Sequence, residues 1–182
     1  MDGRVKPGHD DVNIIRRVDC GGAMIGSRQA RDMNIEFKII EVGSDWHLKE
    51  QALRDEVLRK PLGRALSATD IERDREGVHF VAVQGGEVVG CAGLYPQGDG
   101  VMRLRQMAVL PRLQRQSIGA RLLSFAENWA RENEVARVET HARLPARGFY
   151  ERCGYEAYGD VFEEISVPHI KMRRLLKVEP CA

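Results

Sequence analysis

The 182-residue chain is 43% apolar and 30% charged, and its 28 basic against 27 acidic side chains leave a formal net charge of +1. That length supports one domain with a core of its own. The balance of charge argues against a protein that grips nucleic acid or an anionic membrane through bulk electrostatics, and no apolar run approaches the ~18–20 residues that cross a bilayer. Cys20, Cys91, Cys153 and Cys181 are scattered, with no CxxC pair and no histidine at zinc spacing. Reduced thiols, no metal and a cytoplasmic location are the expectations.

The chain opens MDGRVKPGHDDVNIIRRVDCGGAMIGSRQARD, where acids, bases and glycines alternate without the apolar stretch of a secretory signal. Residues 1–32 hold six basic and five acidic side chains, which leaves 22 of each for the remainder. They read as a disordered or loosely packed extension, a candidate translation-start artefact, with the folded unit at 33–182. The alternation Asn34–Ile40 predicts a strand. Ser44 is a good N-cap for a helix over 45–60 with Trp46, Leu53 and Val57 on one face, stopped by Pro61-Leu62-Gly63. A short second helix is expected between Ser67 and Glu76. Strands His79–Val83 and Glu87–Tyr95 flank Gly85-Gly86, a hairpin signal. A turn at Pro96–Gly100 leads into a strand over Val101–Leu110.

Pro111 closes that strand, and Ile118, Leu122, Phe125, Ala126 and Trp129 mark one face of a helix from Ile118 to Glu132. Glu134–His141 reads as a strand and Pro145–Arg152 as a short helix. Two strands close the chain, Tyr155–Gly159 and Val161–Leu175, with Pro168 breaking the second. The order βα(α)βββαβαββ predicts a mixed α/β sheet with helices on both faces.

The chemistry concentrates in Arg103–Leu123, where a strand runs through a short polar turn into an amphipathic helix. A helix's first turn has unpaired N–H groups and a partial positive charge, and so can hold a phosphate. Ser117, Gly119 and Ala120 are small enough for an anion to approach, and Arg115 adds a charge at the rim. An ordinary strand–turn–helix with small residues for packing is the alternative.

Gln114-Arg115-Gln116-Ser117-Ile118-Gly119 resembles the acyl-CoA-binding motif (Arg/Gln)-x-x-Gly-x-(Gly/Ala) of the GNAT superfamily of N-acyltransferases, and Met107–Pro111 resembles its strand-and-proline lead-in. Ala146-Arg147-Gly148-Phe149-Tyr150-Glu151-Arg152-Cys153-Gly154-Tyr155 is similar to the family's A-x-x-F-Y-E-x-x-G-F signature. Leu53–Gly63 resembles the first helix of many bacterial members, and Phe162–Met172 resembles the closing strand of the YjcF/ElaA-like branch. The matches span about residues 33–175 in the right order. The fold implied is a GNAT-like, mixed, mostly antiparallel sheet with helices on both faces.

The resemblance implies that main-chain groups of Met107 and Val109 hold the pantetheine arm of acetyl-CoA, and that an N–H of that strand polarises the thioester carbonyl. It implies that the turn Gln114, Arg115, Gln116, Ser117, Ile118, Gly119 and Ala120 holds the pyrophosphate. Ser117 departs from the motif's glycine, which is tolerable unless its φ is positive. Tyr150 is the expected donor to the departing thiolate. The glutamate that many relatives use as base falls at Arg105, which accepts no proton. His141 and His169 are therefore the catalytic candidates, with Glu163, Glu164 or a water relay as alternatives. Arg103 and Arg105, two apart, share a strand face. A solvated or ion-paired face is the expectation there, with recognition of an anionic substrate the alternative.

The expected function is transfer of acetyl from acetyl-CoA to a primary amine of a small molecule. A protein lysine or N-terminus as acceptor, which an open acid-lined groove would favour, and a non-catalytic acyl-CoA-binding module are the alternatives. No nucleic-acid partner is expected, since no basic run exceeds two residues. A homodimer is an option, because dimers are common among look-alikes.

Overall fold

The computed structural model describes residues 34–176; the extension expected over 1–32 lies outside them. Strands β1 (Glu36–Ile40), β2 (Val78–Gln84), β3 (Glu87–Gly98), β4 (Val101–Val109), β5 (Arg137–Arg143), β6 (Glu156–Glu164) and β7 (Val167–Leu175) form one sheet in the order β1-β2-β3-β4-β5-β7-β6. Each neighbouring pair is antiparallel except β4 with β5. Helices α1 (Asp45–Arg54), α2 (Ala68–Arg73), α3 (Ile118–Glu132) and α4 (Arg147–Arg152) connect them.

Local chemistry explains most of these boundaries. The Ser44 hydroxyl accepts from the His47 amide to cap α1, and Gly63 ends the following turns at φ +66°. Ser67 and Asp70 close a reciprocal capping box on α2. Gly85 and Gly86, at φ +57° and +81°, make the two-residue β2–β3 hairpin.

Adjacent residues of β2 point to opposite faces of the sheet. Phe80 meets Phe125 and Trp129 of α3, and His79 meets Glu50 of α1. Val88 to Tyr95 of β3 are buried without interruption, as a strand covered on both sides must be. The Tyr95 ring lies where Cβ atoms on Gly77 and Gly93 would approach it to 2.7 and 2.8 Å, so neither position accommodates a side chain without displacing the ring.

The chain's end departs from expectation. The break falls at Ile165-Ser166, which turn at φ +55° and +58°, and Val161 belongs to β6. Pro168 sits inside β7, opposite Glu163. The β5–β7 ladder ends one residue later, at Arg143–His169, so the missing proline N–H costs that ladder nothing. Likewise, the strand expected from Glu134 starts at Arg137, because Glu134 itself turns at φ +57°. β3 runs on to Gly98, and its turn is reduced to Asp99-Gly100.

Two features shape the middle of the sheet. The β4–β5 ladder pairs Val101–Leu104 with Arg137–Thr140 and then stops, although both strands continue. Gln106 adopts φ +57°, and the β3–β4 register slips between Cys91 and Gly93. This bulge bends β4 away from β5.

Beneath α1 lies a charge network that the sequence pattern did not announce. Arg54 Nη1 donates to Asp74 Oδ2 at 2.7 Å, His79 Nδ1 donates to Glu50 at 2.9 Å, and Tyr95 donates its hydroxyl to Asp74 Oδ1 at 3.1 Å. His79 Nε2 faces the Asp74 carbonyl at 3.0 Å. Both its ring nitrogens therefore meet acceptors, and the ring carries a proton on each. His47 accepts the Gly43 amide at Nδ1 and donates Nε2–H to Asp74 at 3.1 Å. His47, Asp74 and His79 bring ligand-type atoms within 4.8 Å of one another. The Arg54 guanidinium already supplies a cation to Asp74, so the cluster reads as balanced ion pairs rather than a metal cage.

Candidate active site

The divergence of β4 from β5 opens a cavity of about 190 Å³. Its wall includes Met107 of β4, Thr140 and His141 of β5, Tyr150 of α4, and Glu164 and His169 from either side of the β6–β7 turn. All three catalytic candidates thus reach one cavity. Glu164 is brought there as well, whereas Glu163 is not among the lining residues.

His141 Nδ1 lies 2.7 Å from Glu164 Oε2, while its Nε2 is buried with no hydrogen-bond partner among the described residues. Burial pushes the Glu164 carboxyl up, but the bond and charge of His141 outweigh it and hold the group below its ordinary value. A carboxylate on Nδ1–H leaves the lone pair on Nε2, the arrangement a general base needs. His169 donates its Nδ1–H to the Val167 carbonyl at 2.7 Å, which also leaves Nε2 as acceptor but places no carboxylate on the ring to stabilise its protonated form.

Tyr150 is 6% exposed. Burial pushes its hydroxyl up to about 12, with a hydrogen bond to Thr140 acting the other way. It therefore stays protonated through the neutral range, as a proton donor must.

Leu110 N–H bonds to the Val89 carbonyl of β3. Alternation along the strand then turns the main-chain groups of Met107 and Val109 toward the β5 side, where the ladder has already ended. The Gln114 side chain donates to the Val109 carbonyl at 3.1 Å. After Val109, a 3-10 turn at Pro111–Leu113 leads to the N-terminus of α3. The first main-chain bond of α3 runs from Arg121 N–H to the Ser117 carbonyl at 3.0 Å. The amides of Ile118, Gly119 and Ala120 precede that ladder, on the positive end of a fifteen-residue helix.

Gln114, Arg115, Gln116, Ser117 and Ala120 are exposed around this end, and Ile118 turns inward to the core. Ser117 lies at φ +60° and Arg115 at φ +61°. The serine therefore adopts the left-handed backbone in which glycine is at ease, at a cost of about 1 kcal/mol.

A family model for the acetyltransferase (GNAT) family matches residues 44–155. The chain belongs to that family. The GNAT match takes in β4, the α3 turn, His141 and Tyr150, and stops short of Glu164 and His169. Among relatives, an uncharacterized N-acetyltransferase, YitI of Bacillus subtilis, is 26% identical over 152 residues, covering 79% of this chain and 97% of the relative. Escherichia coli ElaA has the same fold, with a TM-score of 0.67 and 22% identity over 78% of this chain and 99% of its own. So does an aminoglycoside 6'-N-acetyltransferase solved with coenzyme A, with a TM-score of 0.66 and 20% identity over 80% and 99%. No helix among the described residues of this GNAT chain is long and apolar enough to cross a membrane.

Sequence reasoning missed Arg59 and Arg143, which also line the cavity. They come from separate segments, and no spacing in the chain signals their meeting. The pairing of His141 with Glu164 was equally hidden, since 23 residues separate them.

Proposed function

We propose that this GNAT chain transfers an acetyl group from acetyl-CoA to the primary amine of a small molecule by direct attack. The observation that carries the proposal is the His141–Glu164 pair, with the free nitrogen of the imidazole buried in the cavity that Tyr150 also lines. The donor supplies an acetyl group activated as a thioester. The α3 N-terminal amides and Arg115 bind its pyrophosphate, and the cleft-facing main chain of Met107 and Val109 holds the pantetheine arm as an added strand. His141 Nε2 accepts a proton from the acceptor amine as nitrogen attacks the thioester carbonyl. A β4 N–H stabilises the oxyanion of the tetrahedral intermediate. The C–S bond then breaks, and Tyr150 gives its proton to the leaving thiolate. His141 takes over the part that a strand glutamate plays in many relatives, at the point where Arg105 stands.

A small acceptor is favoured by the cavity's volume and lining. Its lining side chains include four arginines, Arg59, Arg103, Arg105 and Arg143, and one carboxylate, Glu164. An acid-lined groove suited to a lysine-bearing protein would show the opposite charge. The test is thiol release from acetyl-CoA with a pooled small-amine panel. Release that depends on both an amine and His141 is the expected result; acetyl-CoA binding without release would make this a binding module instead.

A further inference from the structure

The cationic lining is unevenly satisfied. Arg59 pairs with Asp70 at 3.2 Å, and Arg143 donates to the Leu58 carbonyl at 3.3 Å. Arg103 and Arg105 form no ion pair within 4.0 Å among the described residues, and Arg103 Nε is buried with no hydrogen-bond partner there. The lone carboxylate of the lining, Glu164, is engaged by His141. Two guanidinium groups thus stand in a confined space without a direct ion pair. The one carboxylate acting on Arg105 is Glu164, which His141 already engages, and burying charge so thinly compensated is costly. For Arg105, burial and then the nearby charge of Arg73 push the guanidinium below its ordinary value, Glu164 acts the other way without restoring it, and Arg103 adds to the fall.

Their position is also defined. Arg103 is level with Glu139 and Leu104 with Thr140 in the β4–β5 ladder. One residue beyond the last ladder pair, Arg105 and His141 both line the opening. The Arg105 guanidinium lies over the Tyr95 ring, 6.0 Å from its centroid, and the Tyr95 hydroxyl is held by Asp74. The buried network under α1 thus steadies the ring beneath Arg105.

We infer that the acceptor is a small primary amine carrying its own oxyanion, a carboxylate or phosphonate, which Arg103 and Arg105 hold while its nitrogen faces His141. Arg103, Arg105 and His141 line one cavity of about 190 Å³, so the amine and oxyanion belong to one short molecule with a few bonds between them. Guanidinium forks match the planar or tetrahedral oxygens of such groups. This inference rests on the acetyl-transfer reading for the amine's fate, but the oxyanion site is a matter of binding and is tested as such.

The experiment measures binding of β-alanine and 2-aminoethylphosphonate, against propylamine and ethanolamine, to the full chain saturated with coenzyme A. Calorimetry is expected to show the oxyanion amines binding at least roughly tenfold tighter. Arg103→Gln and Arg105→Gln should each weaken that preference, their combination should remove it, and Arg105→Lys should keep part of it. Melting curves establish that each variant folds. Equal or tighter binding of the neutral-tailed amines, or a preference that survives in the double variant, overturns the inference. Thiol release with the same four amines separates the two readings. Oxyanion-selective binding without release overturns acetyl transfer and supports the oxyanion site. Release with propylamine but not with β-alanine overturns the oxyanion site and supports transfer.

Discussion

Glu164 Oε2 lies 2.7 Å from Nδ1 of His141, and the opposite nitrogen of that ring is buried without a partner in a cavity shared with Tyr150. The relationship joins β5 to the end of β6 and gives a strand histidine a defined tautomer. His141→Gln should lower kcat by ~10²–10³ while leaving acetyl-CoA affinity within about twofold of the parent. Glu164→Gln, which keeps the shape and removes the charge, should cost roughly tenfold in kcat with little change in KM. Steady-state kinetics of both variants check this, and an unaltered kcat in His141→Gln would remove the histidine from the reaction.

Tyr150 stays protonated because burial has pushed its hydroxyl up to about 12. Tyr150→Phe should reduce turnover by ~10–100-fold, with acetyl-CoA binding by titration almost unchanged. A fall in affinity equal to the fall in turnover would mean instead that the ring only shapes the pocket.

The α3 turn offers a paired test of the pyrophosphate site. Gly119 faces Met107 and Phe149, with a built Cβ 3.5 Å from each, so a larger residue there crowds the helix start. Gly119→Glu should place a carboxylate beside the site and abolish acetyl-CoA binding. Ser117→Gly should do the reverse, relieving a positive φ and raising stability by about 1 kcal/mol without loss of affinity. Denaturant midpoints and acetyl-CoA titrations read both; retained affinity in Gly119→Glu would contradict the assignment.

The network under α1 predicts a bounded pH range of stability. For His79, burial disfavours the charge, but the bond and charge of Glu50 outweigh it and raise the folded value above 6.5. Its contribution is therefore complete below 6.5 and lost as pH rises through that raised value. For Asp74, burial acts upward, but the Arg54 bond and charge prevail and lower the folded value below 3.8. Its contribution is present above 3.8 and lost as pH falls through the lowered value. Urea midpoints should thus decline on the alkaline side through His79 and on the acid side through Asp74. His79→Gln should remove the alkaline decline and cost about 3 kcal/mol, because Glu50 then keeps only the longer pairing with Arg54 at 3.8 Å. An alkaline slope identical in parent and variant would assign the decline to another group.

Much of the architecture was legible because it is encoded locally. The Ser44 cap, the Gly85-Gly86 hairpin and the apolar face of Ile118–Glu132 each act over a few residues, and the observed elements begin and end close to where those signals stand. Ile165-Ser166 was illegible for the same reason. Neither residue favours a positive φ, and the β6–β7 pairing imposes the turn on them, while Pro168 suggested a break that its place beyond the β5 ladder makes unnecessary.

The sequence by itself determined the family, through motifs whose spacing is set within single turns of chain, and it determined the balanced charge that argues against bulk electrostatic grip. Only the tertiary structure decided how that charge is distributed. Sheet pairing carried Glu164 to His141, buried His79 and Glu50 as a pair, and left Arg103 and Arg105 in a cavity without a direct ion pair among the described residues. Partners separated by tens of residues meet through strand register, which no local pattern encodes. The 22 basic and 22 acidic side chains beyond residue 32 thus resolve into neutral ion pairs beneath one face and a concentrated positive site at the centre of the sheet.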